Sequence, residues 1–148
     1  ETGKIIDFGV SNFTPSQFNL IDQTTSISVN QIEFSLTQYS AMHNGILDQL
    51  LQKEVIPMSW SPLGSYFKET NAANKRIKKV LDVFTKKYNA TEDQLLLAWI
   101  LKHPSGVIPV VGTTSKVRLQ NAVKALDIEL DLEDWFTLLV ECQGHKVP

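Results

Sequence analysis

The chain has 148 residues, of which 43% are hydrophobic and 20% charged, so it is long enough for one modest domain with a core of its own. Its net charge of -2 excludes a strong electrostatic attraction to nucleic acid or to a membrane surface. The single cysteine and the three scattered histidines exclude a disulfide framework and a metal site, and we expect a cytoplasmic protein.

The first half of the chain alternates between apolar runs typical of strands and amphipathic stretches typical of helices. Strands are predicted at residues 4–10, 28–34 and 55–60. The first strand leads into Thr14-Pro15-Ser16-Gln17, which supplies a helix N-cap, a proline at the first helical position and a capping-box glutamine. The two helices that follow the first two strands are expected to face the core with Phe18, Ile21, Ile46, Leu47, Leu50 and Leu51.

The second half begins with a polar loop at 65–74 and a basic helix at 75–88. The charges of this helix are typical of a solvated face and not of a nucleic-acid site. Thr91 opens a capping box and a helix that runs to about Lys102, apolar enough to be packed on two sides. The last helix is capped by Asp131, and its predicted inner residues are Trp135, Leu138, Leu139 and Cys142.

Between these helices, residues 107–126 run from a predicted buried strand, 107–111, through a tight polar turn into another helix. The apolar stripe of that helix is predicted to face the core with Leu119, Ala122, Val123 and Leu126. Its first turn presents unpaired N–H groups, hydroxyls and Arg118, which is the usual composition of a phosphate site. An ordinary strand–helix loop with a well-capped helix is the alternative interpretation.

Four strand–loop–helix units in succession predict parallel strands joined by right-handed crossovers. A doubly wound open sheet and part of a barrel both satisfy this pattern. A complete (β/α)8 barrel needs about 250 residues, so the chain could hold about half of one. Both architectures bind ligands at the carboxyl ends of the strands, where Ser11-Asn12, Gln31, Ser61 and Gly112-Thr113 are expected.

Four short motifs at the strand ends carry a family resemblance: residues 9–13, 30–33, 60–64 and 108–112. In this order they resemble the C-terminal half of an aldo-keto reductase, and the resemblance extends over the whole chain. The tail at 135–148 is similar to that of bacterial YdhF-like oxidoreductases. The resemblance implies that residues 1–148 are the C-terminal half, strands 5 to 8 with their helices, of a (β/α)8 TIM barrel, and that this half binds the cofactor.

The resemblance also implies a nicotinamide site. Ser11, Asn12 and Gln31 match three residues that hydrogen-bond the carboxamide of NADPH, a group that needs both donors and acceptors. Trp60 matches an aromatic residue, commonly tyrosine, that stacks on the nicotinamide ring, and tryptophan keeps the flat π face.

The other end of NADPH is assigned by the same resemblance. The loop along the pyrophosphate is matched by Ser61, Leu63 and Gly64. Near the adenosine 2'-phosphate the matching residues are Thr113 and Arg118, and Asn121 matches a residue near adenine. Gly112 stands where several members have a lysine, and Thr114 or Lys116 are the candidates to replace that phosphate contact.

The catalytic tetrad of this family, Asp, Tyr, Lys and His, lies in the first half of the barrel, with the tyrosine as proton donor. No position of the chain matches it, since Tyr39, Tyr66 and Tyr88 lie outside the matching motifs. The resemblance therefore implies a fragment of an NADPH-dependent carbonyl reductase that is inactive by itself, its parent reducing an aldehyde or ketone. The alternative is a non-catalytic nucleotide-binding or regulatory subunit-like module.

A half-barrel has two unpaired sheet edges, here at 5–10 and 107–111, and exposes apolar surface beside them. Exposed edges and apolar patches drive association. We therefore expect the half-barrel to associate with itself.

Overall fold

The computed structural model of the protein describes residues 3–147. Glu1, Thr2 and Pro148, which belong to the predicted half-barrel range, lie outside the described residues. The strands form one parallel sheet in chain order, each pairing with the next. They are β1 (Phe8–Ser11), β2 (Ile27–Glu33), β3 (Ile56–Trp60) and β4 (Ile108–Pro109).

Helices connect the strands and follow the last of them. They are α1 (Pro15–Asp22), α2 (Ile46–Gln52), α3 (Ala72–Lys87), α4 (Glu92–Leu101), α5 (Lys116–Val123) and α6 (Leu132–Gln143). A doubly wound sheet reverses its strand order at a switch point, whereas a barrel adds each strand beside the previous one. The unreversed order of β1 to β4 therefore agrees with part of a barrel. No helix within residues 3–147 is long and apolar enough to span a membrane.

The predicted helix starts at Thr14 and Thr91 are confirmed, because each residue forms a complete capping box with the glutamine three positions later. The start of α3 differs from the prediction. Asn71 accepts a hydrogen bond from the Asn74 N–H at 2.8 Å and caps the helix, so residues 72–74 are helical and not part of the loop.

The core lies among the sheet and helices α1 to α4 and α6. The predicted inner residues that are buried are Phe18, Ile46, Leu47, Leu50, Trp135, Leu138 and Leu139. In α4 every residue from Gln94 to Ile100 is buried, as the apolar composition of this helix predicted. Leu51 was wrongly placed inside: it is 55% exposed, since it lies about 100° further round α2 than the inward-facing Leu50.

The first strand is shorter than predicted. β1 begins at Phe8, which pairs with Ile27, the first residue of β2. Residues 4–7 have no opposing strand residue and lie outside the sheet, so the predicted strand at 4–10 is correct only in its second half.

The predicted strand at 107–111 is confirmed only at Ile108–Pro109, and the prediction that it is buried throughout is wrong. β4 comprises only Ile108–Pro109, and although Val107 is buried, Ile108 is 48% exposed. The physical reason is that β4 pairs with β3 on one side only, so it is an edge strand.

Its edge position also explains Pro109. The Val110 N–H donates to the Ser59 carbonyl of β3 at 2.8 Å. Because successive N–H groups of a strand alternate in direction, the nitrogen of Pro109 faces the open side. Proline is tolerated where no ladder donor is required, so it fits this edge.

The predicted inner stripe of α5 is wrong for three of its four residues. Leu119, Val123 and Leu126 are exposed, and Ala122 is half-buried. α5 packs against α4 and the 3-10 turn Lys124–Asp127. Within residues 3–147 the sheet has no strand beyond β4, so nothing covers the opposite face of the helix.

Candidate functional site

Ser11, Asn12 and Gln31 meet at the ends of β1 and β2. The Asn12 N–H donates to the Gln31 carbonyl at 2.9 Å, and the Ser11 hydroxyl donates to the same oxygen at 3.0 Å. Asn12 has a φ of +57°, in the left-handed region that asparagine tolerates better than most residues. Both Ser11 and Asn12 are exposed, so their side chains are accessible to a ligand.

Trp60 joins this group from the end of β3. Its indole Nε1–H donates to the Asn12 Oδ1 at 2.9 Å. The Asn12 oxygen is engaged in this way, whereas neither its Nδ2 nor the Gln31 side-chain amide makes a hydrogen bond within the described residues. The strand ends therefore combine free amide groups with a half-buried aromatic ring.

The turn after β3 is held by an unusually close approach of backbone to side chain. Gly64 has a φ of +54°, and its N–H donates to the Ser61 carbonyl at 2.7 Å. A Cβ at this position would lie 2.0 Å from the Thr37 hydroxyl oxygen, which accepts the Ser65 N–H at 3.0 Å. Glycine is therefore required for this turn to pack against the segment after β2.

A cleft of about 900 Å³ opens between the turn after β3 and the segment after β4. This volume lies within the range of small-molecule sites. Seven of the predicted site residues line it together: Trp60, Ser61, Leu63, Gly64, Gly112, Thr113 and Arg118. The tertiary structure thus brings the ends of β3 and β4 to one site, beside the polar group at Ser11, Asn12 and Gln31.

The far end of the cleft is formed by the start of α5. Ser115 caps the helix, accepting from the Arg118 N–H at 3.4 Å, and its own N–H donates to the Thr113 hydroxyl at 3.2 Å. In the part of the chain that the structure describes, the Arg118 guanidinium has no hydrogen-bond or carboxylate partner, so it is available to an anion. Thr114 is exposed and does not line the cleft.

Asn121 lies outside the cleft and ties α5 to the start of α4. Its Nδ2 donates to Thr91 Oγ1 at 3.1 Å and to Asp93 Oδ2 at 3.3 Å. Its Oδ1 accepts from the Gln94 Nε2 at 2.9 Å. The side-chain amide is therefore used within the protein, and its proximity to adenine stays a prediction.

Eight residues that line the cleft were not among the predicted site residues. They are Pro62, Phe67, Lys68, Asp93, Leu97, Val110, Val111 and Ala122. Lys68 lies in the polar loop before α3, where no hydrophobic periodicity indicates which side chains face the cleft. Asp93 is the lining carboxylate, and its place in a capping turn suggested only a helix start.

None of the three tyrosines lines this cleft. The Tyr66 hydroxyl donates to Glu92 at 3.1 Å, and burial, together with that carboxylate, raises the pKa of Tyr66 above its usual value. Tyr88 donates to Asp134 and accepts from the Asp131 N–H at 3.0 Å, and burial raises its pKa as well. A raised pKa opposes ionisation, and both hydroxyls are held by carboxylates away from the cleft. Residues 3–147 contain no cluster of three His, Cys, Asp or Glu suited to a metal ion.

Parallel strands in chain order, joined and followed by helices, define an α/β protein of the parallel βα class. Residues 1–139 match the model of the Aldo/keto reductase family, and the chain belongs to that family.

Bacterial oxidoreductases are among its similar relatives. The chain is 33% identical over 152 residues to the uncharacterized oxidoreductase YcsN of Bacillus subtilis and 34% identical over 151 residues to the oxidoreductase YdhF of Escherichia coli. It is 38% identical over 154 residues to a 6-dehydroglucose reductase of Agrobacterium fabrum. These alignments cover 99%, 100% and 99% of the chain but 51%, 51% and 50% of the relatives, so the chain spans about half their length.

Solved structures agree with this assignment. The aldo-keto reductase from Klebsiella pneumoniae in complex with NADPH superposes with a TM-score of 0.76 at 25% identity, over 92% of this chain and 48% of that one. An aldo-keto reductase of the silkworm, Bombyx mori, superposes with a TM-score of 0.72 at 26% identity, over 93% and 41%. The α/β architecture thus matches that of aldo-keto reductases, whose fold is the TIM barrel.

Proposed function

We propose that the chain is the C-terminal half-barrel of an NADPH-dependent aldo-keto reductase, contributing strands 5 to 8 and the cofactor-binding residues. The observation that carries this proposal is that Trp60, Gly64 and Arg118 line one cleft at the carboxyl ends of β3 and β4. The half-length match to the relatives and the unreversed strand order support it. NADPH, when bound, supplies the hydride that the parent enzyme transfers to an aldehyde or ketone.

The donor set at the strand ends fits a nicotinamide carboxamide. A carboxamide offers one acceptor oxygen and two donor hydrogens. The Nδ2 of Asn12 supplies a donor, and the amide of Gln31 supplies both kinds of group. The hydrogen bond from Trp60 to Asn12 fixes the indole plane beside them, where the ring can stack on a flat ligand.

The residues around α5 fit a phosphate. Arg118 carries paired N–H donors, and the N-terminus of α5 adds partial positive charge. Lys68 adds a second cation to the same cleft. Two features oppose tight binding of a phosphate. Gly112 stands where several family members have a lysine, and the carboxylate of Asp93 repels an anion. We therefore expect the cleft to prefer NADPH over NADH without excluding NADH.

Proton transfer is assigned to residues that the parent protein supplies elsewhere. The described lining residues offer no tyrosine, and the proton donor of the family is a tyrosine beside a lysine. The chain is therefore proposed to bind cofactor but not to turn it over. The same observation also favours the alternative, a non-catalytic nucleotide-binding or regulatory subunit-like module.

Titration of the chain with NADPH tests the proposal, with tryptophan fluorescence as the signal. Binding near Trp60 should quench the wild type, and the variant Trp60→Leu should lose that part of the quenching while Trp99 and Trp135 remain. The absence of saturable NADPH binding by the folded chain would contradict the proposed function. A tyrosine–lysine pair encoded upstream would favour the reductase, and its absence from the parent would favour the module.

A further inference from the structure

Asn30 is a polar side chain inside the sheet. It lies in the middle of β2, opposite Val10 and Pro57, and is completely buried. Its Nδ2 donates to the Phe13 carbonyl at 3.0 Å, and its buried Oδ1 has no partner within residues 3–147. A buried amide with an unpaired oxygen is unfavourable compared with an apolar residue of similar size. Within the described residues the Asn30 side chain thus makes a single hydrogen bond, to the turn between β1 and α1.

That turn contains the left-handed residue Asn12. Hydrogen bonds fix the backbone on both sides of it: its own N–H reaches the Gln31 carbonyl, and the Phe13 carbonyl that follows accepts from Asn30. Two consecutive residues of β2 therefore hold the peptide group before Asn12 and the peptide group after Phe13. Together they limit how far the Asn12–Phe13 peptide between them, and with it the Asn12 side chain, can turn. A non-glycine residue with positive φ persists only when its surroundings over-determine it.

We propose that Asn30 is a positioning residue for the nicotinamide site. It holds Asn12 so that Oδ1 meets the Trp60 indole and Nδ2 faces the ligand. This inference rests on the proposed function, because the ligand at Asn12 is the carboxamide of NADPH. Asn30 touches no ligand itself and acts through Asn12.

The first test needs no cofactor. The chain has three tryptophans, and the indole N–H of each gives a separate NMR signal. In Asn30→Leu, the Trp60 indole signal should move towards that of a solvent-exposed indole and the Asn12 amide should exchange faster. The signals of Trp99 and Trp135 should stay in place, because these indoles bond to each other's backbone.

Asn74→Leu is the matched control. Asn74 is also buried, donates through Nδ2 to the Ser65 and Glu69 carbonyls, and has an unpaired Oδ1, but it lies in α3. This control should leave the Trp60 signal unchanged. If Asn30→Leu does not fold, Asn30→Thr serves instead, since its hydroxyl is one bond too short for the Phe13 carbonyl and a β-branched residue suits a strand.

The second test compares NADPH with adenosine 2',5'-bisphosphate, which lacks the nicotinamide half. Asn30→Leu should weaken NADPH binding about tenfold and leave the bisphosphate unchanged, as expected for one hydrogen-bond network at the nicotinamide end. Equal weakening of both ligands, or an unmoved Trp60 signal, would overturn the inference while leaving the proposed function intact. A wild type that binds neither ligand would overturn the proposed function and the nicotinamide role together, with the NMR result still reporting whether Asn30 holds Asn12.

Discussion

Trp99 in α4 and Trp135 in α6 bond to each other's backbone. The Trp99 indole donates to the Trp135 carbonyl at 3.1 Å, and the Trp135 indole donates to the Trp99 carbonyl at 2.8 Å. Their rings are stacked with centroids 4.8 Å apart and planes 3° from parallel. The pair satisfies four buried polar groups and fastens α6 to the core.

The first prediction follows from this pair. Trp135→Phe removes one donor, leaves the buried Trp99 carbonyl unpaired and reduces the stacked area. The free energy of unfolding should fall by about 2–3 kcal/mol. Urea denaturation measures this change, and Leu132→Ala, at a residue of the same helix that is 61% exposed, should change stability by less than about 0.5 kcal/mol. Equal effects of the two substitutions would show that the reciprocal bonds contribute nothing.

The second prediction concerns the turn after β3. Gly64→Ala places a Cβ against Thr37 at a residue whose φ is positive, so the turn must move. We expect a loss of about 1–3 kcal/mol in stability together with weaker NADPH binding. Gly112→Ala is the control for stability, because a Cβ there meets no atom within 4 Å. A stable Gly64→Ala protein with unchanged binding would refute the role of this contact.

The third prediction concerns cofactor choice. Arg118→Ala should weaken NADPH binding about tenfold to a hundredfold and barely change NADH binding. This factor corresponds to the roughly 1.5–3 kcal/mol that a charge-assisted hydrogen bond contributes. Dissociation constants for both cofactors provide the measurement. Lys124→Ala, in the 3-10 turn after α5 and outside the cleft, should have little effect. Equal losses for NADPH and NADH would mean that Arg118 is structural.

The fourth prediction concerns turnover. The purified chain should not oxidise NADPH with aldehyde substrates above background, because no tyrosine lines the cleft and a positioned proton donor typically contributes about 10²–10⁴-fold. NADPH absorbance measures this directly, and the intact parent enzyme is the positive control. Robust turnover by the chain, free of contaminating enzyme, would place a catalytic residue within it.

The fifth prediction concerns assembly. The exposed apolar residues in the helix and turn that follow β4, among them Val123 and Leu126, and the open edge of β1 should drive the chain into dimers or larger species at micromolar concentration. Sedimentation velocity measures the state. Val123→Lys should shift it towards monomer, whereas Val83→Lys, equally exposed on α3, should not. A stable monomeric wild type would contradict the prediction.

The sequence alone determined the order of the elements, since each depends on local signals. Capping boxes at Thr14 and Thr91 set two helix starts to the residue, and apolar runs located β2 and β3. The four strand-end motifs gave the family, which the match over residues 1–139 confirms.

Tertiary structure decided which faces of the strands and helices are buried and which side chains line the cleft, because both depend on the neighbouring elements. The run at 107–111 has a buried composition, but β4 is an edge strand and α5 exposes the stripe expected to be inside, because no further strand lies beyond β4 in the described chain. Lys68 and Asp93 reach the cleft from a loop and a capping turn, where no periodicity indicates direction. Asparagine has a low strand propensity, so the local sequence gives no reason for Asn30 in β2. Only the packing of β2 against the turn that contains Asn12 gives its amide a partner, the Phe13 carbonyl.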